Sequence, residues 1–372
     1  MNARDSEFVM GILLERGFRK AAAIDKADVI LFNSCSVRKH AEDRLFGNIG
    51  DLKDLKIKKP GLVIGVMGCT AQSLKAKALE RAPLLDFVCG PGDEAALPEI
   101  IKDIIKNKYP IVATGRVNEK RPELFPEYRA SGFKAYVSIG EGCNNYCSYC
   151  IVPYVRGRER SRDVKDILKE AGDLAARGFK EILLLGQNVN SYNGDRDTGF
   201  VKLLEELNAI KGITRIRFMT SHPKDATVDL FKAIANLEKV CEHLHLPMQS
   251  GSDRILKLMN RGYTKSKYVA LAENYKRIVR GGSLTTDVIV GFPSETDKDF
   301  RDTMDVIKAL KFDSAFTFKY SPRPPAKSAV LKDDITKEVK DERLKELMDV
   351  QAEISEKNNK KLVGNIMEVL VD

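Results

Sequence analysis

Tryptophan is absent from this 372-residue chain, histidine occurs four times, and aromatic residues make up 7%. A stacking platform of the kind used by single-strand binders is therefore not advertised. No apolar run approaches the ~20 residues that a membrane span requires, and the start has neither the charged nor the apolar region of a signal peptide. The expectation is a cytoplasmic protein with no membrane partner. Cysteine is sparse too, seven in all. An odd number in a long chain argues against a disulfide framework, and three of them cluster, which suits thiolate ligands in a reducing compartment.

The chain exceeds the roughly 100 to 200 residues usual for one domain, so two domains and a large core are expected. Lys and Arg outnumber Asp and Glu by 62 to 53, a formal charge of +9. That excess favours an anionic partner, nucleic acid first.

Helical and strand patterns alternate along the first ~110 residues. Helices are predicted at 5–15, 37–52, 72–81 and 93–106, and strands at 27–35, 61–69 and 84–90. The fold class is α/β. Residues 1–117 form a doubly wound parallel sheet domain, with Cys35 and Cys69 at two strand ends. Residues 118–132 are polar, hold two prolines and read as a linker. From 133 to 360, strands at 134–139, 181–185, 214–219, 243–246, 284–290 and 312–319 alternate with helices at 164–177, 200–210, 226–236, 252–259, 267–279 and 296–310. Six β/α units give a partial (β/α)6 barrel, whose chemistry belongs on loops at the strand C-termini. Residues 336–362 read as a charged helix and 362–372 as an opening strand.

The stretch Glu141–Arg162, "EGCNNYCSYCIVPYVRGRERSR", sets Cys143, Cys147 and Cys150 at C-x3-C-x2-C on the loop after the first of those strands. Structural zinc takes four protein ligands, and no fourth thiol or histidine lies nearby. A 4Fe-4S cluster held by three cysteines keeps one iron open for a second ligand. Spacing alone leaves three readings: a cluster, zinc with a distant ligand, and packed cysteines. Four arginines follow at once, Arg156, Arg158, Arg160 and Arg162. They suit phosphate contacts, or a solvated loop paired internally through Glu159.

These residues resemble the radical S-adenosylmethionine (SAM) enzymes. "LLGQNVNSY" (184–192), "TSHPKD" (220–225), "HLPMQSGSDRILKLMNRGYT" (245–264) and "TTDVIVGFPSET" (285–296) narrow the likeness to the methylthiotransferases, and to the branch that modifies isopentenyl-adenosine in tRNA. The resemblance spans the whole chain. It implies a 4Fe-4S cluster on Cys143, Cys147 and Cys150 whose open iron holds SAM. It implies a second 4Fe-4S cluster on three cysteines of the N-terminal domain, two of which match Cys35 in "NSCSVR" and Cys69 in "GCTAQ". The third has no counterpart, since "MNARDSE" matches the segment that follows it in the family. The resemblance thus implies a missing first strand and ligand, and residues 361–372 resemble the start of a TRAM β-barrel that is otherwise missing. Impaired sulfur insertion is the expectation for the chain as written.

Gln187 and Asn188 fall where radical SAM enzymes bind the methionine amino group. Ser221, Gln249 and Asp287 are polar candidates around SAM, with helix capping as the plain alternative. His222 is a site residue or a turn residue. Cys89 is a candidate substitute ligand or a buried thiol, and Cys241 a packed or surface thiol. The expected reaction puts a methylthio group on C2 of N6-isopentenyl-adenosine beside the anticodon. The threonylcarbamoyl-adenosine branch, the ribosomal-protein branch and a zinc-stabilised RNA-binding module are the alternatives. The implied partners are a tRNA anticodon stem-loop, a flavodoxin or ferredoxin as electron donor, and a sulfur donor. A monomer is expected.

Overall fold

The computed structural model describes residues 1–36, 39–117, 127–194 and 198–371. It divides into two units. One comprises Met1–Ala130, Glu141–Asn144 and Ile151–Glu159; the other comprises Ser131–Gly140, Asn145–Cys150 and Arg160–Asp372.

In the first unit, α1 (Asn2–Glu15) leads to β1 (Val29–Asn33), then α2 (Lys39–Gly50), α3 (Lys53–Lys58) and β2 (Val63–Met67). There follow α4 (Cys69–Leu74), α5 (Lys77–Arg81), β3 (Phe87–Cys89), α6 (Leu97–Asn107) and β4 (Ile111–Ala113). The strands pair in parallel in the order β1-β2-β3-β4, with Val29 opposite Val63 and Gly65 opposite Phe87. β2 is buried at every position, as the unbroken run "VIGVM" dictates for a strand covered on both faces. Leu45, Ile49, Ala78 and Ala82 form one apolar layer, and Val9, Leu13, Ile100, Ile101 and Ile104 another.

The helix predicted over 72–81 is two short helices. Lys75 adopts φ 51°, a left-handed turn between them. No breaker residue marks that point. Cys69–Gln72 are buried at the strand end while Ala78 and Ala82 reach the core, and one straight helix does not serve both. The start of the helix predicted at 37 lies outside the described residues, as does most of the linker.

In the second unit, β5 (Lys134–Ser138) is followed by the two-residue strands β6 (Gly140–Glu141) and β7 (Arg160–Ser161). Between these two lies α7 (Val152–Val155), a part of the first unit. The repeat then runs α8 (Val164–Ala176), β8 (Glu181–Leu185), α9 (Phe200–Asn208), β9 (Arg215–Phe218), α10 (Val228–Asn236), β10 (His243–His245) and α11 (Asp253–Leu258). α12 (Lys265–Ile278), β11 (Ser283–Val290), α13 (Asp297–Leu310), β12 (Ser314–Lys319) and α14 (Lys337–Lys360) complete it.

Two parallel three-stranded sheets, β5-β8-β9 and β10-β11-β12, are linked by the Ile216–Val240 bridge into a six-strand arc. β11 alternates half-buried and buried residues with period 2, as a strand between lumen and helix layer must. Thr227, Ser252, Thr264, Thr296 and Thr336 accept backbone N–H bonds at helix starts, so strand-end loops turn into helices where the sequence offers a hydroxyl. Helix α14 is anchored by Arg343, which donates to Glu295 at 2.9 Å and Asp297 at 2.7 Å.

The strand expected at 362–372 does not form among the described residues. Lys361–Gly364 make a turn, and 365–371 run exposed without regular structure. Arg215 donates to Glu368 O at 3.3 Å.

Candidate functional site

The cysteine loop is held by a second loop of the barrel. Ser148 donates through its N–H to Met259 O at 2.9 Å and through Oγ to Leu258 O at 2.8 Å. Asn260, in a left-handed turn at φ 56°, donates through Nδ2 to Asn145 O at 3.3 Å and Tyr146 O at 3.0 Å. Arg261 follows and is 4% exposed. Its guanidinium donates to Pro247 O at 2.8 Å, Tyr263 Oη at 2.9 Å, Tyr149 Oη at 3.3 Å and Cys147 Sγ at 3.4 Å. Burial opposes its charge, and Tyr149, Tyr263 and Cys147 outweigh that. Burial pushes the Tyr149 hydroxyl well up, so it stays protonated.

Cys147 is buried, and Cys150 N–H donates to Cys147 O at 3.0 Å. Cys143 belongs to the first unit, where its N–H donates to Gly157 O at 3.2 Å. Beside it Gly142 has φ 78°, and a Cβ there would sit 2.0 Å from Arg158 O, so only glycine fits. None of the seven cysteines forms a disulfide. No three His, Cys, Asp or Glu side chains converge as a metal-binding group among the described residues. The ligand assignment therefore rests on thiol state, loop spacing and relatives.

At the strand C-termini of the second unit, four buried polar atoms lack a hydrogen-bond partner among the described residues: Asn188 Oδ1, Ser221 Oγ, His222 Nε2 and Gln249 Oε1. Each such group costs free energy unless something supplies a partner. That is the signature of a polar ligand's cradle, and it fits SAM, whose ammonium, carboxylate and ribose bring donors and acceptors. Asn188 is oriented by donating Nδ2 to Asp225 at 2.7 Å. His222 accepts from Lys224 N at Nδ1, 3.1 Å away, which puts its proton on Nε2. Thus His222 is both a turn residue and a donor. Burial, with Arg261 and Lys224, lowers its pKa to about 2. Gln249 takes φ 68° and bridges to β11 through Asp287 O at 2.7 Å and Ile289 N at 2.9 Å. Gln187 is half-buried after β8.

Asp287 faces His245, whose Nε2 lies 3.5 Å away and whose Nδ1 is 3.0 Å from Thr285 Oγ1. Sequence reading missed His245, Arg261, Tyr149 and Tyr263. For His245 there was a signal, since it alternates with His243 on β10 and so shares its face.

In the first unit Cys69 starts α4 at the end of β2 and is 8% exposed; Cys35 follows β1 and is half-buried. Near them Ser36 Oγ, Thr70 Oγ1, Asn33 Oδ1 and Gln72 Oε1 are buried without a hydrogen-bond partner among the described residues. Cys69 packs with Ile151 and Val155, and burial pushes its thiol up while Arg156 opposes the rise.

Of the two readings of the arginine run, phosphate contact and internal pairing, Arg156 takes the second. It is 3% exposed, donates Nε to Cys69 Sγ at 3.1 Å, and pairs with the buried Asp5. Arg162 is also committed, to Glu170 at 2.8 Å. Arg158 is exposed and Arg160 half-buried. Cys89 is fully buried in the cluster that holds Met67, Phe87 and Leu97. Cys241 is half-buried, and burial raises its pKa.

Residues 137–307 match the Radical SAM superfamily, and residues 1–90 match a family described as "Uncharacterized protein family UPF0004". Among curated proteins, the tRNA-2-methylthio-N(6)-dimethylallyladenosine synthase of Caldicellulosiruptor saccharolyticus is 49% identical across 100% of this chain and 80% of its own. That of Moorella thermoacetica is 46% identical across 100% and 85%. Among solved structures, the radical S-adenosylmethionine methyltransferase TsrM from Kitasatospora setae, with cobalamin and a [4Fe-4S] cluster bound, superposes with a TM-score of 0.61 at 16% identity, covering 88% of this chain and 74% of that one. The cobalamin-dependent S-adenosylmethionine radical enzyme OxsB gives 0.58 at 16% identity, covering 95% and 53%. At such identities the likeness is one of fold alone. No helix among the described residues is long and apolar enough to cross a membrane.

Proposed function

Because the chain belongs to the tRNA-2-methylthio-N(6)-dimethylallyladenosine synthase family of radical SAM methylthiotransferases, we propose that its substrate is N6-isopentenyl-adenosine beside the tRNA anticodon, methylthiolated at C2. The observation that carries this reading is the 49% identity to a synthase so named, over the whole of this chain. Enzymes of this family use SAM and two 4Fe-4S clusters, which supply the carbon radical chemistry and the sulfur when bound.

Cys143, Cys147 and Cys150 would hold the radical cluster, and Cys35 and Cys69 would contribute to the auxiliary one. Asn188, Ser221 and Gln249 orient SAM through the atoms they leave unpaired, and His222 adds a donor at Nε2. Gln187 and Asp287 stand beside them. The buried walls around Cys147 exclude water, which a carbon radical requires. Adenine C2–H is hidden in the anticodon-loop stack, so the base must be splayed out to reach it. Of the four arginines, the exposed Arg158 and the half-buried Arg160 would meet RNA phosphate. A flavodoxin or ferredoxin and a sulfur donor complete the reaction, in the cytoplasm where the tRNA is, with the enzyme as a monomer.

The test is anaerobic reconstitution of the full chain, followed by incubation with SAM, reductant and one of two anticodon stem-loops, carrying isopentenyl- or threonylcarbamoyl-adenosine. With sulfur insertion impaired, a methylthio product in low yield is expected on the first only, and its loss with Cys143→Ala. Product on the second only would overturn the substrate assignment.

A further inference from the structure

Arg261 is a buried cation with no anionic partner of its own. Among the described residues no carboxylate pairs with it; its four contacts are a carbonyl, two tyrosine hydroxyls and the sulfur of Cys147. Burying an uncompensated guanidinium is costly, and sequences retain one only where another component brings negative charge. The sulfur of Cys147 is the contact atom that brings negative charge when it ligates a cluster.

We infer that Arg261 is the built-in counter-cation of the radical cluster, a positioning residue that fixes Cys147 and raises the cluster's reduction potential. This rests on the reading of Cys147 as a ligand. A 4Fe-4S core on three thiolates is a singly negative assembly, and accepting one electron makes it doubly negative. A fixed cation alongside favours the more negative state, and N–H bonds to ligand sulfur act in the same direction. The fork is aimed for this task. Nη2 is tied to Pro247 O and Nε to Tyr263 Oη, which leaves Nη1 directed at Cys147 and Tyr149. The turn carrying Arg261 also clamps residues 145–148 through Asn260, Met259 and Leu258, so charge and ligand loop are held by one segment.

The experiment uses the full chain with Cys35→Ala/Cys69→Ala, so that iron counts report the radical cluster alone, and measures iron, sulfide and an EPR-monitored redox titration without tRNA. In the Arg261→Gln variant the ratio of reduced to oxidised cluster at a fixed potential is expected to fall at least tenfold, equivalent to about 59 mV for one electron. Arg261→Lys, which keeps the charge, should stay within about twofold of the parent. Should the Gln variant fail to fold, Arg261→Met fills the same space without unpaired donors. An unchanged ratio in the neutral variant, or an equal fall in the Lys variant, overturns the inference while the parent's iron upholds the site. A parent without iron overturns the ligand assignment itself, and the inference with it.

Discussion

Replacing Arg156 separates a structural role from an RNA-binding one. Its guanidinium and the Asp5 carboxylate are 2% and 4% exposed as side chains. Two unit charges ~4 Å apart at an effective dielectric of ~20 attract by about 4 kcal/mol. Removing one member of a buried pair typically costs ~3–5 kcal/mol, because the other charge stays buried without compensation. An exposed arginine on an RNA-facing loop would cost ~0–1 kcal/mol. Arg156→Met should therefore destabilise the first unit by ~3–5 kcal/mol, whereas Arg156→Met with Asp5→Leu should recover most of it, since apolar replacements of a buried pair are often neutral. The chain has two units and no single melting point describes it. The assay is native-state hydrogen exchange at amides of β1, β2 and β3, where this loss corresponds to roughly two to four orders of magnitude in protection. A change below about fivefold, together with weakened tRNA binding, would refute the burial argument and restore Arg156 to the RNA surface.

Arg158→Ala, by contrast, should leave stability within ~0.5 kcal/mol and reduce the salt-dependence slope of anticodon stem-loop binding by about one; an unchanged slope removes it from the RNA contact. Ser221→Ala and Gln249→Ala should each weaken SAM binding by ~1 kcal/mol, about fivefold by calorimetry, with iron content untouched; unaltered affinity would mean that another group satisfies these atoms. His222, lowered to about 2 by burial first, is neutral in the folded chain, so its contribution to stability is full above about pH 6.5 and is lost as the pH falls toward that folded value. Between pH 6.5 and 5 this amounts to ~2 kcal/mol in the second unit. His222→Asn, which preserves an acceptor for Lys224 N, should be spared that loss when exchange at β9 amides is compared at the two pH values, and an equal loss in both would discount the histidine.

The barrel was legible because strands such as β8 and β11 are apolar or alternating runs, and each is followed by an amphipathic helix. β5, β8 and β11 fall within a residue or two of their predicted bounds. β4 escaped notice, being three residues long beside a polar segment. The left-handed turn at Lys75 has no local signal either, since lysine and alanine are both good helix formers. The four arginines at alternating positions are chemically identical in sequence. Only tertiary packing assigns one to Asp5, one to Glu170 and leaves Arg158 in solvent. Arg261 was visible inside "LKLMNRGYT" but unremarkable, because nothing local reveals that a surface-type residue is buried without a carboxylate.

Ile151–Glu159 belongs to the first unit, although more than a hundred residues of that unit precede it and Asn145–Cys150 intervenes. During synthesis the amino-terminal sheet therefore cannot finish when Ala130 leaves the ribosome. The apolar cover of Cys69, made of Ile151 and Val155, and the cation for Asp5 arrive only once Glu159 has been made. Until then Cys69 lacks that apolar cover and Asp5 lacks that guanidinium. A chain cut at residue 130 would lack Ile151, Val155 and Arg156, and with them a part of the first unit.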